Sequence, residues 1–447
     1  MSGYFSKMGV GLVSAVALAA SIGLASSAQA ADLGGDCCAD LEERVAELEA
    51  TTARKGNRKV SLTVSGWVGE QVLWWDDGTE SNAYVTGLGV TLSSHFKLTG
   101  QATIAPGYQA GYVIHVETNS NDPIALNQNT DDGGAGVSLL QSYWFINSDR
   151  LGKLSVGQLS QASDNAAILV DGSGSLVPAN WVLFDNLSFI GRRNGANILN
   201  VNGGNITWGE AGFCHHTSLA IGGDCNGVPL NAVRYDSPTF AGFSVSASWG
   251  EDDFWDVAAR YAGEFNGIKL AVTAAYSHQA DESGVIQHRD SDYFQIGAFI
   301  THVPTGLFFY GAYGHENNNN SVMRAADGFA IGFAPDNNHW YMKAGLRRKW
   351  NQLGHTVLFG EYGKRDDMYS ADLLDASTGF GFDGNRTADS ELRQWGLGVA
   401  QEIDAAAMSM WLVYRNYDAE ISGNGVTGVN IDFDEMHIVK FGALINF

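Results

Sequence analysis

The feature that most constrains this chain is a period of two. In Ile268, Leu270, Val272, Ala274 and Tyr276 one face is apolar, while Lys269, Thr273 and Ser277 belong to the other. The pattern recurs in Trp255, Val257, Ala259 and Tyr261 against Asp256, Ala258 and Arg260, and in Trp340, Met342, Ala344 and Leu346 against Tyr341, Lys343, Gly345 and Arg347. It returns at the end, where Val439, Phe441, Ala443, Ile445 and Phe447 share a face. Successive side chains of a strand point to opposite faces, so each segment reads as a strand with one greasy and one polar side. Alternation with turn signals divides the chain into sixteen such segments, among them 59–76, 84–97, 153–160, 231–237 and 435–447.

A soluble sandwich also alternates, so the connections decide. Those after even-numbered strands are mostly tight, as in Asp149-Arg150-Leu151-Gly152, Glu264-Phe265-Asn266 and Pro304-Thr305. Several after odd-numbered strands are long and polar: 120–136, 316–338, 366–391 and 419–434. Strands of about ten residues, even in number, with short turns at one end and long loops at the other, are the pattern of a transmembrane barrel. In hydrocarbon each unpaired backbone group costs several kcal/mol, so the sheet must close on itself. Sixteen strands enclose more space than their side chains fill, which implies an aqueous channel lined by the polar face. Strand one departs from the pattern, because Glu70 shares a face with Val60, Leu62, Val64 and Val68. Either a bulge shifts the phase, or this face meets another subunit.

Composition excludes other classes. An 11% aromatic content argues against disorder, and four Cys are too few for a disulfide-stapled scaffold. With 26 basic against 49 acidic residues the net charge is −23, which repels nucleic acid. After the first thirty residues no uncharged apolar run reaches the roughly 18 residues that a spanning helix needs. Nucleophile-elbow, Walker-loop and HExxH patterns are absent from the sequence, so neither an enzyme nor a bound cofactor is expected. Asp76-Asp77, Asp131-Asp132 and Asp366-Asp367 lack the spacing of a dedicated metal site and read as solvated loops.

Residues 1–30 form a secretory signal: Lys7 is followed by the apolar run Val10 to Leu24 and by Ala28-Gln29-Ala30, after which cleavage is expected. Residues 31–58 form a short periplasmic segment. Within it Asp40 to Arg54 is helical in pattern, with Leu41, Val45, Leu48 and Thr52 as a two-heptad seam that needs partner copies to be stable. A solvated linker is the other reading. Adjacent Cys37 and Cys38 link chains or stay unpaired. Residues 59–447 form the barrel.

Ala232 to Phe243 reads AVRYDSPTFAGF. This resembles the strand-turn-strand segment of Gram-negative general diffusion porins, and the signal peptide, the strand count and the terminal Phe447 agree. The opening DCCADLEERVAELEATTARKGNRKVSLTVSGWV resembles the alphaproteobacterial type, in which a short periplasmic helix precedes strand one. The resemblance implies an all-β, sixteen-stranded antiparallel transmembrane barrel with an inward-folded third extracellular loop. It further implies a homotrimer in the outer membrane, surrounded by lipid and lipopolysaccharide, that passes small hydrophilic solutes passively. The terminal aromatic resembles the signal read by the outer-membrane barrel assembly machinery. A substrate-selective channel on the same barrel is the alternative.

The longest connection, 161–230, occupies the place of that third loop, and Asp164, Asp171 and Asp185 lie within it. By resemblance, these acids face basic residues on the opposite wall and set a transverse field across the constriction. Alternation places Arg234, Arg260, Lys269, Lys343, Arg347 and Lys440 inward, and Arg192 and Arg193 end the apolar stretch Leu187 to Ile190 as further candidates for the pore wall. Residues 194–230 exceed what a simple return to strand six needs. Cys214 and Cys225 within them read as a disulfide in an oxidising compartment. A zinc site with His215 and His216 is the weaker alternative, because adjacent His residues do not easily face one ion. No metal site is expected.

Overall fold

A computed structural model describes residues 59–199, 204–212, 214, 227–251, 253–281, 289–319, 322–324, 330–332, 336–369, 371–373, 389–422 and 431–447. Residues 1–58, where a signal peptide and a helical segment with Cys37 and Cys38 are expected, and Cys225 lie outside the described residues.

The sixteen expected strands are all present and close into an antiparallel barrel. They are β1 (Thr63–Asp76), β2 in two pieces (β2a, Ser81–Thr86, and β2b, Ser94–Ala105), β3 (Tyr108–Asn119), β4 (Gly136–Ser148) and β5 (Gly152–Leu159). Next come β6 (Leu230–Asp236), β7 (Phe243–Gly250), β8 (Trp255–Phe265), β9 (Ile268–Asp281), β10 (Arg289–His302) and β11 (Leu307–Asn318). The last are β12 (Asp336–Arg348), β13 (Thr356–Asp366), β14 (Asp389–Ile403), β15 (Met408–Ser422) and β16 (Met436–Asn446). Each pairs with its neighbour in the chain. The ring shuts where β1 meets β16, from Trp67 opposite Asn446 to Asp76 opposite His437. Phe447 completes it by exchanging backbone hydrogen bonds of 3.0 Å with Gly66. Closure leaves no sheet edge facing lipid.

The alternation reads correctly in space. Val68, Val72 and Trp74 of β1, Val257 of β8 and Leu412 of β15 are exposed on the outside. Exposed aromatics stand toward both ends of that surface, Phe243, Phe265 and Trp350 near the tight turns and Trp249, Trp255 and Trp395 toward the loops. Two such girdles mark the two membrane interfaces. Glu70 stays on the outer face, since the pairing of β1 with β16 runs without a register shift. The bulge alternative is therefore out. The Ser120 hydroxyl donates to both Glu70 oxygens, at 3.0 and 2.9 Å.

The second strand differs from expectation. Its expected span 84–97 straddles an inward excursion, 87–93, and the strand resumes over Ser94–Ala105. Leu88-Gly89-Val90-Thr91-Leu92 alternates like a strand, but Gly89 (φ +89°) and Thr91 (φ 70°) turn the backbone. Leu88 and Leu92 are thereby buried in the lumen.

The inner face is not uniformly polar either. From β10 round to β1 it carries Phe299, Phe308, Tyr310, Phe359, Trp411, Val413, Ile438, Leu73 and Trp75, all buried in one apolar cluster. The long connection supplies the other half of that cluster through Ile168, Leu176, Trp181, Val182, Leu183, Phe184 and Phe189. A sixteen-stranded wall leaves room for this; the loop fills part of the volume that the wall's own side chains cannot.

Candidate functional site

The loop L3, residues 160–229, leaves β5 at the open end and runs into the barrel. Its start lies flat on the wall. The Arg234 guanidinium donates to the carbonyls of Ser160 (2.8 Å) and Gln161 (3.0 Å) while two of its nitrogens bond Asp236 (2.9 and 2.7 Å). Arg260 donates to Ser246 Oγ (2.9 Å) and to the Ala162 carbonyl. The Asp256 carboxylate accepts from the backbone N–H and hydroxyl of Ser163, both at 2.6 Å. Gln295 grips both sides of the next turn, accepting from the Ala167 N–H (2.7 Å) and donating to the Ser163 carbonyl (2.9 Å). A Cβ on Gly297 would stand 2.1 Å from the Ala167 carbonyl oxygen, so only glycine allows this approach. Asp164 is buried here, bonded by Ser160 and Asn165 of the same loop.

L3 then crosses to the other wall. Asp171 meets Lys343 at 2.6 Å, with both side chains fully buried. Lys343 also donates to Asn180 Oδ1 (2.8 Å), whose amide nitrogen donates back to Asp171 (3.0 Å). A short helix, α1 (Leu176–Ala179), follows. Asp185 accepts from Lys440 (2.6 Å) and from the Gln71 amide (2.9 Å), with Arg415 at 3.9 Å. Arg415 holds α1 and its exit, donating to the carbonyls of Ala179 (2.7 Å) and Val182 (3.1 Å), and pairs with Glu361 of β13 at 2.6 Å. Buried ions persist when they are paired and hydrogen-bonded, as these are.

The return limb ends at the mouth. Arg192 and Arg193 open a two-stranded hairpin with Ala196-Asn197, turned by Asn194 (φ 52°) and Gly195 (φ 76°). That Asn-Gly pair is the residue choice such a turn demands. Asp434, from the loop before β16, accepts from both turn amides, at 3.0 and 2.8 Å. Arg192 does not stand alone on a pore wall. It pairs with Asp77 (2.9 Å) and Glu80 of the loop between β1 and β2a. Burial opposes ionisation of Asp77, but bonds from the Glu80 N–H, the Gln128 amide and Arg192 outweigh it and hold its carboxyl below the ordinary range. Arg193 is exposed. Arg347 lies toward the turn end, in a two-pronged pair with Glu402 at 2.8 and 2.7 Å. Lys269 stands 3.8 Å from Glu264, also near the turns.

Asp171 and Asp185 thus touch their cations, Asp164 is held by neutral groups of its own loop, and the wall cations are anchors for the loop. Alternation put Arg234, Arg260, Lys343 and Lys440 inside. It missed Arg415 and Glu361. On β15 both faces read as apolar, Met408, Met410 and Leu412 on one side and Trp411 and Val413 on the other, so the period gives no sign there. Cys214 is buried and disulfide-bonded.

The sequence model of the Gram-negative porin family matches residues 14–373. No curated protein matches the chain. Among solved structures, the anion-selective porin from Comamonas acidovorans is 15% identical, with a TM-score of 0.53, covering 87% of this chain and 100% of that one. The Salmonella typhi OmpF complex with daunomycin is 12% identical, with a TM-score of 0.50, covering 88% and 99%. At these identities the likeness concerns the fold.

Proposed function

The chain belongs to the Gram-negative porin family and is an outer-membrane channel for passive diffusion of small hydrophilic solutes and ions, and we propose from that premise how its parts act. L3 is the constriction, and the observation that carries this is its seating: both of its limbs inside the barrel are held by buried charged groups of the wall. Asp164, Asp171 and Asp185, with Arg234, Arg260, Lys343 and Arg347, keep the aperture at a fixed size, and Arg192 with Arg193 frames its mouth. Because the pairs are in contact, they act as local dipoles that order water and polar solutes and leave apolar solutes to displace that water at a cost. The working unit is a homotrimer, joined through the outer face of β1 that carries Val64, Val68 and Glu70. Residues 1–30 are removed, and residues 31–58 stand in the periplasm. Lipopolysaccharide and the barrel assembly machinery are the partners in the membrane, and the chain performs no catalysis. Cys214 pairs with Cys225 and staples the return limb.

Planar-bilayer recording tests this reading. Purified protein should insert in conductance steps, three at a time, and stay open without a bound ligand. Absence of stepwise current would remove it. The apolar filling of the lumen favours one second reading, a channel selective for one solute class. Saturable block by a single solute would decide for that reading, and permeation graded by solute size for the first.

A further inference from the structure

Four buried side-chain polar atoms without a hydrogen-bond partner lie together on the inner wall, where β2b pairs with β3. They are Nε2 of His95, both ring nitrogens of His115 and Oε1 of Glu117. The three residues are 4%, 1% and 2% exposed. The register sets His95 opposite Glu117 and Lys97 opposite His115. One ligand atom from each of His95, His115 and Glu117 lies within 4.8 Å of the others. An unsatisfied buried polar group costs about 1–3 kcal/mol, so a cluster of them calls for an occupant.

Neighbouring bonds prepare these atoms for one. Nδ1 of His95 donates to the Ser93 carbonyl at 3.0 Å, which leaves Nε2 as an unprotonated lone pair in the neutral ring. Oε2 of Glu117 accepts the Thr91 N–H at 3.0 Å, which leaves Oε1 open. Fixing a ring by its second nitrogen and a carboxylate by its second oxygen is how proteins orient metal ligands. The Trp67 ring stands edge-on to His95 at 4.2 Å, and the two imidazoles lie 4.2 Å apart.

We propose that His95, His115 and Glu117 bind one zinc ion. Two imidazole nitrogens and one carboxylate oxygen suit zinc and its transition-metal neighbours, whereas calcium and magnesium take oxygen ligands. Ligand atoms held at about 2.0–2.2 Å from zinc stand no more than ~4.4 Å apart, so small side-chain rotations close the cluster on the ion. Lys97 faces the same spot and opposes the charge of the ion, in part offset by Glu117. The effect on the channel is mechanical. Thr91 and Ser93 belong to or adjoin the excursion 87–93, and a Cβ on Gly89 would press on Phe184 of L3 at 2.6 Å. Loading the site therefore braces that excursion behind L3.

The test uses full-length protein in detergent, stripped with a chelator, reloaded with zinc chloride, dialysed and analysed for metal. Wild type should hold one zinc per chain. His215→Ala/His216→Ala should hold the same amount, His115→Gln should hold none, and Glu117→Gln should bind at least tenfold more weakly. Lys97→Met should bind more tightly than wild type. Zinc uptake by His115→Gln equal to wild type, or loss confined to the His215/His216 variant, overturns the proposal. No uptake by wild type does so as well, and means that water satisfies the cluster. If the variants at His115 and Glu117 do not form barrels, zinc-edge X-ray absorption of the loaded His215→Ala/His216→Ala protein still decides: two imidazoles in the coordination shell support the site, and sulfur ligands or no imidazole refute it.

Discussion

Replacing Lys343 by Met tests the anchoring of L3 most directly. The ammonium makes bonds of 2.6 Å to Asp171, 2.8 Å to Asn180 and 3.4 Å to the Ser175 carbonyl, with no solvent contact on either ion. Met fills the same space but leaves the Asp171 charge buried and unpaired. Breaking a buried pair in this way costs about 3–5 kcal/mol. The barrel retains its ladder of backbone bonds, so the cost falls on L3, which detaches locally. At ~1.4 kcal/mol per factor of ten, detachment becomes roughly a hundred- to a few thousand-fold more populated. Hydrogen exchange in detergent reads this at the amides of Ser173, Ala179 and Asn180, each bonded within the loop. Their protection should fall by that factor while strand amides keep theirs, and single-channel current should become noisy. The double variant Asp171→Leu/Lys343→Met removes both charges and should regain most of the lost protection at Ala179 and Asn180, though not at Ser173, whose amide loses its Asp171 acceptor, because an apolar pair of similar volume is often as stable as the ions it replaces. Unchanged exchange in L3 of the single variant would show that the pair does not hold the loop.

Other outcomes follow from the same contacts. Gly297→Ala sets a Cβ against the Ala167 carbonyl and should cost about 1–3 kcal/mol while lifting the start of L3, read as a lower thermal midpoint and altered conductance. Arg234→Ala frees the Ser160 and Gln161 carbonyls and should change conductance or ion preference with assembly intact; identical currents would take Arg234 off the constriction. Asp77 has a depressed carboxyl pKa, so its stabilisation is present above the ordinary carboxylate value and is lost as pH falls through the folded value. Wild type should therefore lose thermal stability below about pH 4 more steeply than Asp77→Asn, and parallel curves would contradict the clasp. Non-reducing peptide mapping should join Cys214 to Cys225, and recovery of alkylated Cys225 from unreduced protein would break that assignment.

Much of this protein was legible from local pattern. A period of two needs only the strand itself, so the alternation in 254–263, 267–278 and 435–447 marks strands whatever they pair with, and the need to satisfy backbone groups in lipid then demands closure. The asymmetry of turn and loop lengths is equally local. The second strand was misread because Leu88 to Leu92 alternates for another reason, namely that its leucines enter the lumen. What tertiary structure alone decided is which charges meet. Asp171 and Lys343 are 172 residues apart, and Asp185 and Lys440 are 255 apart. Only the closed register brings those strands to face one loop, and only the loop's apolar side explains why Trp411 and Val413 point inward beside Arg415. The cluster of His95, His115 and Glu117 has the same origin: no spacing along the chain announces it, because a cross-strand pairing and an inward fold of 87–93 assemble it.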